Sequence, residues 1–303
     1  MLTTIEITDN GVSVYTPAKI NIDLYVTGKR NDGYHLLRTI MRKVPVYDRV
    51  NVYKTEEKGI FLSCNVPSIP CNEKNLAYKA AMKYLSLFPG SFDGISIELH
   101  KGIPHGAGMG GGSSDCAAVL LALDMLFNNG KNTDILIKES ASLGADVPVF
   151  VNHTSDCCLC EGIGDIMTDI PIHRPLVNAC IAKGNGSAST KEIFTLFDDL
   201  YEKSHDPSKS LKLDIIENSP DIFSSGSVLR IADILRNDLS EVTESLVPSV
   251  SRGISELKSL GALNAVMTGS GSAVFGIFKN EADASNAEKC MKEQGYFAKA
   301  VLI

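Results

Sequence analysis

The chain has 303 residues, 44% of them hydrophobic and 21% charged, with a net charge of −7 and a pI near 5.4. This is the balance of a soluble globular protein with one large domain or two ordinary ones. The acidic charge argues against a nucleic-acid surface, which needs a basic stripe to displace counterions. The longest apolar run, around Val119–Phe127, is interrupted by Asp124 and is too short to span a bilayer. The N-terminal stretch carries acids rather than a basic flank and an apolar core, so the expectation is a cytoplasmic location without a signal peptide.

In chain order, GVSVYTP and KINIDLYV alternate with period two and read as two strands, followed by strands at RVNVYK and ISIELH. Between the last two, EKNLAYKAAMKYLSLF reads as a helix with Asn72 as its N-cap. A helix beginning at Ser113 or Ser114 follows, then a helix over TDILIKESASLG, after which ADVPVFV is expected to return to extended structure. VFVNHTSDCCLCEG reads as strand, so Cys157, Cys158 and Cys160 form a CxxC only in name. These three are expected to be buried structural residues, and the cysteines of the chain to be free thiols.

The second half restarts with strand LVNACIA and helix STKEIFTLFDDLY, then a polar connection at SHDPSKSLK. Helices are expected near 228–236 and 248–260, two strands with a Gly/Ser turn in LNAVMTGSGSAVFGIF, a helix in EADASNAEKCMKEQG and a last strand in FAKAVLI. Mixing of this kind without regular βαβ alternation predicts an α+β protein, divided into domains 1–165 and 166–303.

The densest chemistry lies at 105–127, HGAGMGGGSSDCAAVLLALDMLF, with five glycines in residues 106–112. Glycines let backbone N–H groups approach phosphate oxygens, and a helix N-terminus adds partial positive charge. The apolar helix that follows must be buried on all sides, a rigid support for such a loop. A P-loop needs a lysine after its glycines, and none stands there. A dinucleotide fingerprint is formally matched by Gly106, Gly108 and Gly111, but Pro104-His105 separates strand from loop and the nearest acid, Asp124, sits inside the helix. The downstream H-R-D and D-F-G of a protein kinase are missing.

The stretch IPHGAGMGGGSSDCAA resembles the central motif of the GHMP kinases, the galactose, homoserine, mevalonate and phosphomevalonate kinase superfamily. TPAKINIDLYVTGKRNDGYHLLRTIM at 16–41, GADVPVFV at 144–151 and TGSGSAVFGIF at 268–278 are similar to its other motifs, in the same order. The GGGSSDCA form is closest to a branch that phosphorylates a diphosphocytidyl-linked polyol on the methylerythritol phosphate route to isoprenoids. Met109 and Cys116 replace a usual leucine and alanine.

The resemblance implies a two-domain GHMP-kinase fold. Its N-terminal domain would be an ATP-binding domain like ribosomal protein S5 domain 2, and its C-terminal domain ferredoxin-like. It implies ATP and Mg2+ as cofactors, a small-molecule substrate, and no nucleic acid or membrane partner. Lys19 and Asp146 fall on the catalytic pair, although Asp146 alone reads equally as a turn or capping residue. Pro104, Gly106, Gly108, Met109, Gly110, Gly111, Gly112, Ser113 and Ser114 fall on the triphosphate loop, and Asn75 and Lys101 on the adenine pocket. Tyr34 and Phe194 would sandwich a cytosine ring whose edge meets His35, with Asn21 and Thr190 as further substrate contacts. His100, His105, His153, His173 and His205 receive no role. A homoserine- or mevalonate-type kinase and a non-catalytic RNA-binding module are the alternatives. The first lacks a base to stack on Tyr34, and the acidic charge disfavours the second.

Overall fold

The computed structural model describes residues 2–172, 176–204 and 213–303, and for 201–204 and 213–216 the backbone only. His173, His205 and most of the polar connection expected at 204–212 lie outside the described residues.

Two compact units are present, each discontinuous in sequence. Unit 1 comprises Met1–Lys19, Pro45–Ile103 and Gly110–Asp156. Its first strands are β1 (Thr4–Thr8), the start of β2 (Gly11–Lys29) and the end of β3 (His35–Lys54). β4 (Gly59–Cys64), helix α1 (Leu76–Leu87) and β5 (Gly94–His100) follow. β1 pairs antiparallel with β2, β5 antiparallel with β3, and β4 parallel with β5.

The unit is completed by helices α2 (Gly111–Asn128), α3 (Thr133–Ser140) and α4 (Val147–Val151). Val12, Val14, Val50, Val52, Ile95, Ile97 and Leu99 alternate along their strands, so each strand puts one face into a common core. Against that face pack Ala80 and Tyr84 of α1 and the whole buried run Cys116–Leu123 of α2. Fully burying side chains of this size stabilises by about 1.5–3 kcal/mol each, which explains why α2 needs no polar face.

Unit 2 comprises Ile20–Val44, Pro104–Met109 and Cys157–Ile303. Its remaining elements are β6 (Cys157–Glu161), β7 (Ile166–Asp169), β8 (Asn178–Lys183), α5 (Thr190–Ser204), α6 (Leu213–Ser224) and α7 (Val228–Ile234). They continue with β9 (Arg236–Asn237), α8 (Ser240–Leu246), α9 (Pro248–Ser259), β10 (Asn264–Met267), β11 (Ala273–Phe278), α10 (Glu281–Glu293) and β12 (Phe297–Leu302). The sheet order is β10-β11-β8-β12, antiparallel throughout. Leu257 of α9 and Ala284, Ala287 and Met291 of α10 bury against Cys180, Ala182, Val274 and Phe278 of this sheet. The α+β expectation therefore holds.

Four local expectations are corrected. GVSVYTP and KINIDLYV form one strand of 19 residues, because the φ that proline fixes at Pro17 is compatible with extended backbone. Asn75, not Asn72, caps α1, accepting from the Ala77 N–H at 2.9 Å. The α2 helix opens at Gly111, ahead of the serines, since Gly110 takes the left-handed conformation that precedes it. ADVPVFV does not return to strand: Val147–Val151 is the short helix α4, with Pro148 in its first turn where no N–H is needed.

The chain's cysteines form no disulfide among the described residues, and Cys157, Cys158 and Cys160 lie buried on β6 as expected. Among the described residues no helix is long and apolar enough to cross a membrane.

Candidate active site

In unit 1 the glycine loop meets the two residues expected to act together. Gly110 has φ +73°, and a Cβ there would lie 2.9 Å from the Phe150 ring and 3.1 Å from Cγ of Lys19. Any larger residue would therefore be both strained and in collision. Lys19 is 4% exposed, and its Nζ lies 3.4 Å from Oδ2 of Asp146.

Asp146 precedes α4, whose Phe150 closes the other side of Gly110. Ser113 belongs to the same cluster: a Cβ added at Gly144, two residues before Asp146, would be 3.9 Å from its Oγ. Ser114 behaves differently. Its buried hydroxyl donates to the Pro17 carbonyl at 2.6 Å and lies 2.6 Å from Thr16 Oγ1. Neither serine caps α2; Ser114 instead fastens the helix start to β2, two residues before Lys19.

A second charged cluster stands behind the loop. Lys101, just beyond β5, is held by Asp48 of β3 and by Asp115 of α2, the latter at 2.5 Å. Asp48 is fully buried on its side chain, and its Oδ1 accepts from the N–H groups of Gly102 and Ile103 at 2.6 and 2.8 Å. Burial pushes the Asp115 carboxyl well above the usual carboxylate range; Lys101 opposes the shift and Asp48 adds to it. The Lys101 ammonium would be 3.5 Å from a Cβ on Gly111, so this cluster braces the first residue of α2. Asn75 sits at the cap of α1, its amide donating to the Pro70 carbonyl at 2.8 Å.

Unit 2 holds the remaining expected residues. Within the loop, Gly106 and Gly108 have φ +61° and +71°, and a Cβ on Gly108 would be 2.4 Å from the Thr268 carbonyl oxygen. Gly108 thus packs against the 268–278 motif and Gly106 against Ser187, with Pro104 and Met109 in the same unit, while Gly110–Ser114 belong to unit 1. Asn21 receives Thr268 Oγ1 at 3.2 Å and donates to Thr39 Oγ1 at 2.8 Å. Thr190 Oγ1, at the start of α5, is 2.9 Å from Ser270 Oγ of the same motif.

His35 is brought to Phe194, with the rings stacked 4.6 Å apart at 19°. Tyr34 is 61% exposed and has no ring partner among the described residues, so the expected aromatic pair is not pre-stacked on itself. Asp198 was not singled out by the sequence. Its Oδ1 is 2.6 Å from His35 Nε2, and its Oδ2 accepts from Lys29 Nζ at 2.7 Å. Burial opposes ionisation of Asp198, but the hydrogen bonds from Lys29 and His35 outweigh it and hold the carboxyl below its usual range. Asp48, Asp115 and Asp198 were all missed. Asp115, inside GGGSSD, and Asp198, one turn after Phe194, are the two that motif spacing could have revealed.

Residues 75–160 match the model of the GHMP kinases N terminal domain, and residues 221–296 that of the GHMP kinases C terminal. With the glycine loop at the head of the buried α2, these matches define the class: a GHMP kinase. The chain is 39% identical to the 4-diphosphocytidyl-2-C-methyl-D-erythritol kinase of Caldicellulosiruptor saccharolyticus, over 91% of each chain. It is equally similar to that of Syntrophus aciditrophicus, 39% over 95% of this chain and 97% of the other. A crystal structure of 4-(cytidine 5'-diphospho)-2C-methyl-D-erythritol kinase aligns with a TM-score of 0.74 at 29% identity, covering 96% and 98% of the two chains. Homoserine kinase from Cytophaga hutchinsonii gives the same TM-score at 17% identity, which speaks to fold alone. The chain belongs to the 4-diphosphocytidyl-2-C-methyl-D-erythritol kinase family.

Proposed function

We propose that the protein transfers the γ-phosphoryl group of ATP to the 2-hydroxyl of 4-diphosphocytidyl-2-C-methyl-D-erythritol. The products are its 2-phosphate and ADP, in the methylerythritol phosphate pathway. The observation that carries the reading is the buried Lys19, 3.4 Å from Asp146 and packed against Gly110, in a chain 39% identical to kinases of that name.

Phosphoryl transfer requires a positioned hydroxyl, an acceptor for its proton and compensation of charge on the transferred group. Asp146 takes the proton from the attacking oxygen, and Lys19 beside it offsets the charge that develops on the phosphoryl oxygens. The N–H groups at the head of α2, with Gly110–Gly112 and Ser113, hold the phosphates. Lys101 and Asn75 serve the adenine side. Bound with ATP, Mg2+ would supply charge neutralisation on the phosphates. Ser113 and Asp146 are oxygen donors suited to it, since this ion keeps few protein ligands beside phosphate and water. Tyr34, His35 and Phe194 select the base, and Asn21 and Thr190 contact the substrate. Along the chain the nucleotide-binding domain is assigned to 1–165 and its partner to 166–303, a division supported by where the two family models match, although residues 20–44, 104–109 and 157–165 group with the second compact unit.

The test is a coupled assay of ADP release with this cytidyl substrate, homoserine and mevalonate offered in parallel. Turnover with the cytidyl compound alone is the expected result; turnover with either of the others instead would sink the assignment. Tyr34→Ala should raise KM for the cytidyl substrate by about 10-fold or more, a stacked base contact being worth ~1–3 kcal/mol. KM for ATP should move less than about 2-fold, since loss of that stack leaves the nucleotide side untouched.

A further inference from the structure

His35 is gripped by one face of α5. Phe194 stacks on its ring, Phe197 meets it edge-on at 6.2 Å, and Asp198 bonds its Nε2, which are positions i, i+3 and i+4 of one helix. The chemistry of this grip fixes more than the ring's orientation. Asp198 is ionised, and a carboxylate only accepts hydrogen bonds. Its other oxygen is taken by Lys29, which cannot accept. The proton between Asp198 and His35 therefore sits on Nε2, and in the neutral ring Nδ1 is left as an acceptor.

Among the described residues Nδ1 has no hydrogen-bond partner, while the His35 side chain is only 9% exposed. A nucleobase edge that offers a donor to Nδ1 is matched, and one that offers an oxygen is repelled. Cytosine presents an exocyclic amine at the position where uracil presents a carbonyl. We propose that Asp198 is a specificity-determining positioning residue that makes the site select cytosine over uracil by holding His35 in its Nε2–H tautomer. The inference rests on the cytidyl substrate proposed above and adds the residue that enforces the choice. Lys29 supports it by occupying the second oxygen of Asp198, so that the carboxylate cannot rotate away.

The experiment uses the full chain at pH 8. Long-range 1H–15N correlation spectra, with His35 assigned by comparison with His35→Gln, report directly which ring nitrogen carries the proton, and isothermal titration measures CDP and UDP affinity. The expected results are a protonated Nε2 and bare Nδ1 in the wild type, and CDP binding at least about 10-fold tighter than UDP, the scale on which a site built for one hydrogen bond rejects its mismatch. In Asp198→Ala the tautomer preference should be lost and the CDP:UDP ratio should fall to within about 2-fold of unity, whereas Asp198→Glu, which keeps an acceptor, should restore a preference for CDP. A wild-type His35 carrying its proton on Nδ1, or an unchanged CDP:UDP ratio in Asp198→Ala, would overturn the proposal while leaving the cytidyl reading in place. A wild type that binds neither nucleotide would overturn both.

Discussion

Asp146→Ala should lower turnover by about 10²–10⁴-fold while leaving ADP binding within a few-fold of the wild type, the range that positioned proton transfer contributes to such reactions. The proposed base lies 3.4 Å from a lysine that is itself 4% exposed. A buried ammonium of that kind stabilises a carboxylate and any anion that shares its space, so each member of the pair depends on the other. Lys19→Ala should therefore cost a comparable factor, and the double variant should lose little more than either single one, the behaviour of residues that act as a unit. Asp146→Asn separates two roles. An amide can orient a hydroxyl but cannot take its proton, so turnover above about a tenth of wild type in this variant would make Asp146 an orienting group. Single-turnover ADP formation, alongside calorimetric ADP binding, distinguishes these outcomes, and retained phosphoryl transfer in Asp146→Ala would remove Asp146 from the mechanism.

The elements legible in the sequence are those whose pattern has only one physical solution. The apolar run after GGGSSD could only be a helix buried on every side, and Ser114–Asp124 of α2 are all buried. LNAVM and AVFGIF, split by TGSGS, could only be paired strands, and β10 and β11 pair antiparallel. VPVFV is ambiguous because five apolar residues fit a buried strand or one helical turn equally well, and only Pro148 in the first turn decides it.

The glycine loop, Lys19 and Asp146 were visible as motif residues. Lone acids were not, because their partners are remote in sequence: Asp48 reaches Lys101, and Asp198 reaches Lys29 and His35. Asp124 shows the reverse case. It fails as a ribose ligand on spacing, and the structure gives it a local task, accepting from the N–H and side-chain amide of Asn132 at 2.9 and 2.7 Å where the chain leaves α2.

Asp48→Ala should be the most destabilising single change behind the glycine loop, costing about 3–5 kcal/mol, the scale for breaking a buried ion pair by removing one partner. Two losses combine in it. The N–H groups of Gly102 and Ile103 lose their acceptor, and buried donors without partners carry their full desolvation penalty. Lys101 is then left with Asp115 alone, whose carboxyl burial already pushes toward its protonated form.

Asp115→Asn makes the contrast. An amide resembles a protonated carboxyl in shape and charge, so this variant should shift the melting temperature by less than about 4 °C, equivalent to roughly 1 kcal/mol in a domain of this size. Chemical denaturation of both variants checks the pair of expectations; a loss under about 1 kcal/mol in Asp48→Ala would show that the cluster does not hold this part of unit 1 together. Because the Lys101 ammonium lies against Gly111, loosening it also loosens the first N–H groups of α2. Under the proposed function, whatever Asp48→Ala enzyme remains folded should accordingly show a raised KM for ATP with little change in KM for the cytidyl substrate, a split that general unfolding would not produce.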